Sequence, residues 1–437
     1  MNGMTTTDPA TTARADELLR SRRYLVLLVL SAVVGGLVSV AAWGFLVVVQ
    51  HLQTATYTDL PHGLGLSPVP NWWPFVPLAV SGVVVGLTIR YLPGRGGNVP
   101  LDGLQAGEKP TVGELPGIAL AALAGVALGP VVGPEAPLIA LGAGMAIALT
   151  RLIPRPMPEQ SVVVIAAVGS FAAISTLLGS PIVGAFLLLE ISGLAGSLAS
   201  VVLLPGLLGS GLGALIFTGL GRLTGEGEFS LAIPNLPSAD RPEVSEFGWA
   251  LLVGVVGALL CWLIRLGAQS IRPLIERFVV PATVAVALVI AALAMLYAEV
   301  SGKPTSDVLF SGQNQLPSVL ENGSTFSIGA LLLLLLCKGL AYSGSLVAFR
   351  GGPTFPAMFI GAVGGIAMSH LPGLSYIAAA AIGIGAMTVS MLRLPMTSVL
   401  LTSLFLGSDG ILVMPLVIVA VVVAHVTTIR LTPLSKE

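Results

Sequence analysis

The chain has 437 residues, 55% of them hydrophobic and only 9% charged, with a net charge of -1 and a mean hydropathy of +0.95. A soluble domain carries roughly 25% charged residues, so a chain this poor in charge must turn most of its surface to lipid, and its near-neutral balance excludes a polybasic nucleic-acid binder. Cys261 and Cys337 sit in apolar runs, and His51, His62, His370 and His425 are scattered without ligand spacing; this argues against a disulfide framework, a metal centre or any metal cofactor.

In chain order, Met1 to Ala15 is polar and Thr-rich and reads as a disordered tail. Arg20, Arg22 and Arg23 then flank an apolar run from Tyr24 to Gln50. That run is too long for the apolar part of a signal peptide, so it reads as an anchor helix whose arginines hold the N-terminus in the cytoplasm. Further apolar stretches recur at 72–92, 115–150, 161–178, 181–192, 198–218, 247–266, 279–297, 327–349, 356–371, 374–390, 395–406 and 411–430. A helix needs about 20 apolar residues to cross the hydrocarbon core. The stretches 181–192 and 395–406 are too short, and 115–150 is long and broken by Gly and Pro. Such a mixture predicts tilted, partial and interrupted helices, tolerated in a membrane only where protein or a watery cavity covers the open backbone. Trp72 and Trp73 read as interfacial anchors. The sequence runs about seven residues past its last apolar run, so no cytosolic regulatory domain is expected.

The chain also repeats. Gly133-Pro134-Glu135-Ala136-Pro137-Leu138-Ile139-Ala140-Leu141-Gly142-Ala143 aligns with the eleven residues from Gly352 to Ala362, 219 positions on, with five identities. Ser180-Pro181 pairs with Leu394-Pro395 at an offset of 214, and Leu204-Pro205 with Met414-Pro415 at 210. Three collinear anchors argue for duplication. The expected organisation is a basic N-terminal segment over 1–23, a first transmembrane repeat over 24–221, a polar linker over 222–246, a second repeat over 247–430 and a short tail over 431–437. The order of the segments does not orient the repeats, although inverted repeats around a midplane site are common among transporters.

An ionisable side chain within a membrane segment costs several kcal/mol and is read as functional by default. Glu135 is the clearest case. Pro134 and Pro137 flank it, and the apolar stretch from Leu138 to Thr150 then resumes as a helix, with Pro137 suited to the first turn. Free N–H groups and the dipole make a helix start attractive to anions. A carboxylate there is a tethered competitor of a dissolved anion: it occupies the site when ionised and leaves when protonated. The second copy, Gly352-Pro353-Thr354-Phe355-Pro356, supplies another such start with neutral Thr354 in the place of Glu135. Lys338, Arg350, Arg393, Arg265 and Glu299 read as groups at or near segment ends, anchoring or pairing, with Arg350 also placed to raise the potential for anions. Gly/Pro breaks that serve helix packing alone are the plainer alternative.

Gly133-Pro134-Glu135-Ala136-Pro137 resembles the Gly-Lys/Arg-Glu-Gly-Pro motif of the CLC chloride channels and chloride/proton exchangers. Gly352-Pro353-Thr354-Phe355-Pro356 resembles that family's Gly-x-Phe-x-Pro motif, and Gly96-Gly97-Asn98-Val99-Pro100 stands where it has Gly-Ser-Gly-Ile-Pro. The likeness covers residues 24 to 430. It implies an all-α polytopic membrane protein of two inverted-repeat halves, built of tilted, partial and broken helices and assembled as a homodimer with one pore per subunit. Glu135 is then the gating glutamate, and the anion contacts fall on Gly133, Pro134, Ala136, Gly352, Pro353, Thr354 and Phe355. The chain departs from the family at four points. The serine's place is taken by Gly97, or by Asn98 in a register shifted by one. The tyrosine's place is Gly410. The motif phenylalanine moves to Phe355. The internal proton glutamate's place falls on Ile191, with Glu190 one residue earlier and turned about 100° around the helix.

The resulting expectation is transport of chloride or a similar small anion across the cell membrane, as a channel or a proton-coupled exchanger, with both termini cytoplasmic. Another inverted-repeat carrier, for an organic anion, is the alternative within transport. An intramembrane enzyme would need a nucleophile–base or metal constellation that the sequence does not offer.

Overall fold

A computed structural model of the chain describes residues 17, 19–105, 109–154, 157–193, 197–225 and 241–432. The predicted N-terminal tail to Ala15, residues 226–240 of the predicted linker and residues 433–437 lie outside the described residues. Each apolar stretch forms a helix, and the long 115–150 stretch forms two. The longer helices are α1 (Arg22–Thr54), α2 (Phe75–Tyr91), α3 (Leu115–Ala127), α4 (Glu135–Thr150), α5 (Glu159–Leu178), α6 (Pro181–Ser192), α7 (Ser197–Thr224), α8 (Val244–Arg277), α9 (Val279–Ser301), α10 (Ile328–Ala348), α11 (Thr354–Met368), α12 (Tyr376–Leu392) and α13 (Pro395–Leu431), with short helical turns at Leu60–Gly63 and Leu316–Asn322. Among the described residues seven helices are long and apolar enough to cross a membrane. The remaining apolar helices are the short ones: α4, α6, α11 and the first part of α13 among them. Gly407, at φ 57° and ψ -131°, breaks α13 into Pro395–Gly407 and Gly410–Leu431. Only glycine reaches that backbone region at low cost.

The chain divides into two compact units. The first holds residues 1–47, 105–115 and 138–229. Within it α5 packs on α6 and α7, and small residues let backbones meet: a Cβ on Gly35 of α1 would lie 2.5 Å from the Cα of Gly209 in α7. Tyr24 ties the start of α1 to α7 by donating to the Val201 carbonyl at 3.2 Å. Helix association in lipid lacks a hydrophobic drive, so close van der Waals contact between small residues has to replace it.

The second unit holds residues 48–104, 116–137 and 230–437. Its core joins α8, α12 and α13 through Ala250, Val253, Ile382, Ala386, Val417 and Ala420. Here α11 lies tightly on α12: a Cβ on Gly361 would collide with the Gly383 carbonyl. Glu246 closes a capping box with Glu243 at the start of α8 and reaches across to the start of α12, accepting from Ser375 N–H at 3.0 Å and Ser375 Oγ at 2.6 Å. Residues 48–104 and 116–137, in the expected first repeat, pack within the second unit; packing units and sequence repeats are separate divisions of the chain.

Two side-chain expectations change. Trp72 is exposed as an anchor should be, but Trp73 is buried at 3% and donates from Nε1 to the Thr56 carbonyl at 3.0 Å. Lys338 does not reach an interface. It stands in the middle of α10, fully buried, and its Nζ lies within 2.9 to 3.4 Å of the carbonyls of Asp307, Val308, Leu309 and Phe310, with the Phe359 ring 4.3 Å away. A buried ammonium is tolerable only with such a full set of acceptors.

Candidate anion site

The two motif copies meet in the second unit. Gly133 N–H donates to the Gly352 carbonyl at 2.8 Å, and Gly352 N–H donates back to the Gly133 carbonyl. The pairing is antiparallel. These are equivalent glycines of the sequence repeat, and antiparallel pairing of equivalent residues is the local geometry that a two-fold, inverted relation produces. Just past each glycine a helix begins: α4 at Glu135 and α11 at Thr354. Pro137 and Pro356 both fall in the first turn, where a missing N–H loses no helix bond.

Helix α10 latches both loops. Ser345 Oγ accepts from Val131 N–H at 3.1 Å, two residues before Gly133. Tyr342 donates its hydroxyl to the Pro353 carbonyl at 2.6 Å, one residue before α11. Lys338, Tyr342 and Ser345 are spaced by four and three residues, so they share one face of α10. Lys338 draws in the strap 307–310, and Phe310 N–H in turn donates to the Gly129 carbonyl at 3.0 Å, upstream of Gly133.

Glu135 is fully buried. Its side chain lies between the two helix starts: Oε1 accepts from Phe355 N–H in the first turn of α11 at 2.9 Å, and the Glu135 N–H at the start of α4 and the Thr354 N–H also face the carboxylate. Thr354 Oγ1 lies beside the carboxylate, and Oε2 keeps capacity for a further donor. The carboxylate seats in a space that exists only because Gly133 and Gly352 lack side chains, for a Cβ on either would collide with it. The carboxyl group thus stands between the starts of α4 and α11, in a site closed to water, with capacity left on Oε2. Chemically, the arrangement holds a negative charge by backbone donors and a helix dipole.

The other predicted positions divide. Gly133, Pro134, Ala136, Gly352, Pro353, Thr354 and Phe355 gather around this point by the bonds above or by direct sequence adjacency. Gly97 and Asn98 follow the turn Pro93–Gly96, which Arg350 holds: its Nε donates to the Arg95 carbonyl at 3.3 Å, and its side chain packs on Gly96. Arg350 is 7% exposed and spends Nη1 on the Val347 and Phe349 carbonyls, so it caps the end of α10 instead of reaching an interface. Gly410 packs on Ser403 and Leu406 of its own helix, while Phe405 is the α13 residue that meets the site, 6.1 Å from Phe355 and edge-on. Glu190 is half-buried near the end of α6, in the first unit. Tyr342, Ser345 and Phe405 were not among the sequence candidates. The first two left a faint signal: polar groups at helical spacing in an otherwise apolar span.

Residues 81–428 match the family described as voltage gated chloride channel. The protein YfeO of Escherichia coli O1:K1 / APEC, named for ion transport, is 26% identical over 362 residues, covering 81% of this chain and 82% of its own. A YfeO of Escherichia fergusonii is 27% identical over 363 residues, covering 80% and 81%. Among solved structures, a slow cyanobacterial Cl-/H+ antiporter superposes with a TM-score of 0.71 at 20% identity, covering 93% of this chain and 97% of that one. A CLC-type fluoride/proton antiporter gives 0.66 at 19%, covering 92% and 95%, and a eukaryotic CLC transporter gives 0.72 at 16%, covering 94% and 73%. The structural likenesses establish the all-helical CLC fold, and with the family match over most of its length, the chain belongs to the voltage gated chloride channel family and moves anions across a membrane as a channel or a proton-coupled exchanger.

Proposed function

We propose that this chain carries a small inorganic anion through the site at the start of α11, with Glu135 as its gate. The observation that carries this reading is the buried Glu135 carboxylate seated on Phe355 N–H between Gly133 and Gly352. An ionised carboxylate there stands in for the transported anion, and protonation removes the charge that holds it. Proton uptake at Glu135 then frees the path, which supplies a route to proton coupling. Donors at the site are mainly backbone N–H groups and the hydroxyl of Thr354. Such a site holds an anion without the trap of a lysine and permits fast release.

Chloride is the first candidate. Fluoride is the second, because one of the superposable antiporters is named for it and because the family's serine and tyrosine positions fall here on Gly97 or Asn98 and on Gly410. An organic anion fits less well, since it would call for side-chain donors that the site lacks. The protein on this reading is a multi-pass homodimer in the cell membrane, with its arginine-flanked N-terminus in the cytoplasm and no enzymatic step. Purified protein in liposomes, loaded in turn with chloride, fluoride and nitrate and assayed with and without a proton gradient, tests this. Faster flux of at least one of these anions than in protein-free liposomes is expected; its absence for all three refutes the proposal.

A further inference from the structure

We propose a second anion site in which Arg265, with Arg393 beside the pocket wall, binds a phosphate group at one end of the α8–α12–α13 core. A pocket of about 60 Å³ lies there, lined by Cys261, Trp262, Arg265, Gln269, Thr428 and Thr432. A water-sized atom needs about 10–15 Å³ of such space, so the pocket takes the four oxygens of one tetrahedral oxyanion.

The charges make the case. Arg265 is half-buried, and the one hydrogen bond it makes among the described residues is from Nη1 to the Met391 sulfur at 3.9 Å. A guanidinium has five donors, and a thioether is a poor acceptor. Arg393, at φ 60° in the left-handed region, turns its Nη2 to Thr432 Oγ1 at 2.9 Å on the pocket wall. Arg265 and Arg393 are close enough to repel each other. No carboxylate pairs with either among the described residues. Two turns along α8 the contrast is direct: Arg272 binds both Asp102 and Glu276 at 2.8 Å. Two like charges with no carboxylate partner among the described residues, around a pocket with hydroxyl and amide groups, suit a planar fork meeting a phosphate.

Depth selects the source of the phosphate. Thr428 and Thr432 close the last turn of the spanning part of α13, and Arg393 follows the end of α12. The pocket therefore sits at headgroup level, with Trp262 half-exposed at its edge. Basic pockets between helices at this depth hold anionic headgroups, and the arginine-rich end is the cytoplasmic one. The shared ligand chemistry is a phosphate mono- or diester, in a phospholipid headgroup or free in solution.

The test uses the full chain in detergent. Melting is followed with dihexanoyl phosphatidylglycerol against dihexanoyl phosphatidylcholine, and with sodium phosphate against sodium chloride at matched ionic strength. Arg265→Gln and Arg393→Gln are run beside the wild type, and the exposed Arg393 carries the test where Arg265→Gln does not fold. A melting temperature raised by several degrees with phosphatidylglycerol, and not in Arg393→Gln, supports a lipid headgroup site; the same shift with sodium phosphate and not with the lipid supports free phosphate. No shift above the matched controls, or an equal shift in both variants, overturns the proposal.

Discussion

At the scale of single residues, Gly352 matters to the gate as much as Glu135 does. The carboxylate fits because Gly133 and Gly352 leave it room. Gly352→Ala puts a methyl group where Glu135 Oε2 now sits, so the carboxylate is expelled without losing its charge. If the seated carboxylate is what blocks the path, wild-type flux rises as pH falls, because protonation vacates the seat. Gly352→Ala is expected to remove that dependence and to pass anion as readily at neutral as at acidic pH, measured as chloride efflux from liposomes. The Glu135 position itself was legible in the sequence, since a carboxylate between two prolines in an apolar span is too costly to stand there without a use. The direction in which it points was not. The sequence reading set it against the N–H groups of its own helix start; it also accepts from the start of the other copy, 220 residues away in sequence.

At the scale of elements, α10 is the part that sequence reasoning undervalued. Apolar length identified it as a spanning helix, but a tyrosine and a serine in such a run read as packing residues until their partners, Pro353 and Val131, are known. Tyr342→Phe removes one buried hydrogen bond and leaves the Pro353 carbonyl unpaired, a cost of about 1–3 kcal/mol. The start of α11 loosens, so the anion concentration for half-maximal flux is expected to rise more than the maximal rate falls. Lys338→Met leaves the buried 307–310 carbonyls without their donor, at about 1–3 kcal/mol for each one left unpaired, read as a lower melting temperature. Faster hydrogen exchange at Phe310 N–H, which bonds to Gly129, should accompany it. A lysine in mid-span was visible in the sequence; its acceptors were not, because all four are backbone carbonyls of a non-helical strap that composition does not reveal.

At the scale of the whole molecule, the membrane's demand for long apolar helices made the element order readable along nearly the entire chain. The Gly/Pro breaks located the interruptions for the same reason: a bilayer tolerates an open backbone only at a protected site. Compact units are different. They depend on which helices pack, and packing between small residues leaves little trace in a composition already rich in glycine. Proton coupling also belongs to this scale, since a second proton group beyond Glu135 would extend a proton route across the protein. Glu190 is the candidate, and Glu190→Gln is expected to slow proton flux more than anion flux; equal loss of both would remove it from the coupling route. The central claim, that the Glu135 carboxylate is the gate, is tested most directly by measuring chloride efflux and proton uptake together in liposomes for wild type and Glu135→Gln. The variant should abolish proton movement while keeping or raising chloride flux, and proton-dependent flux unchanged from wild type would contradict the account.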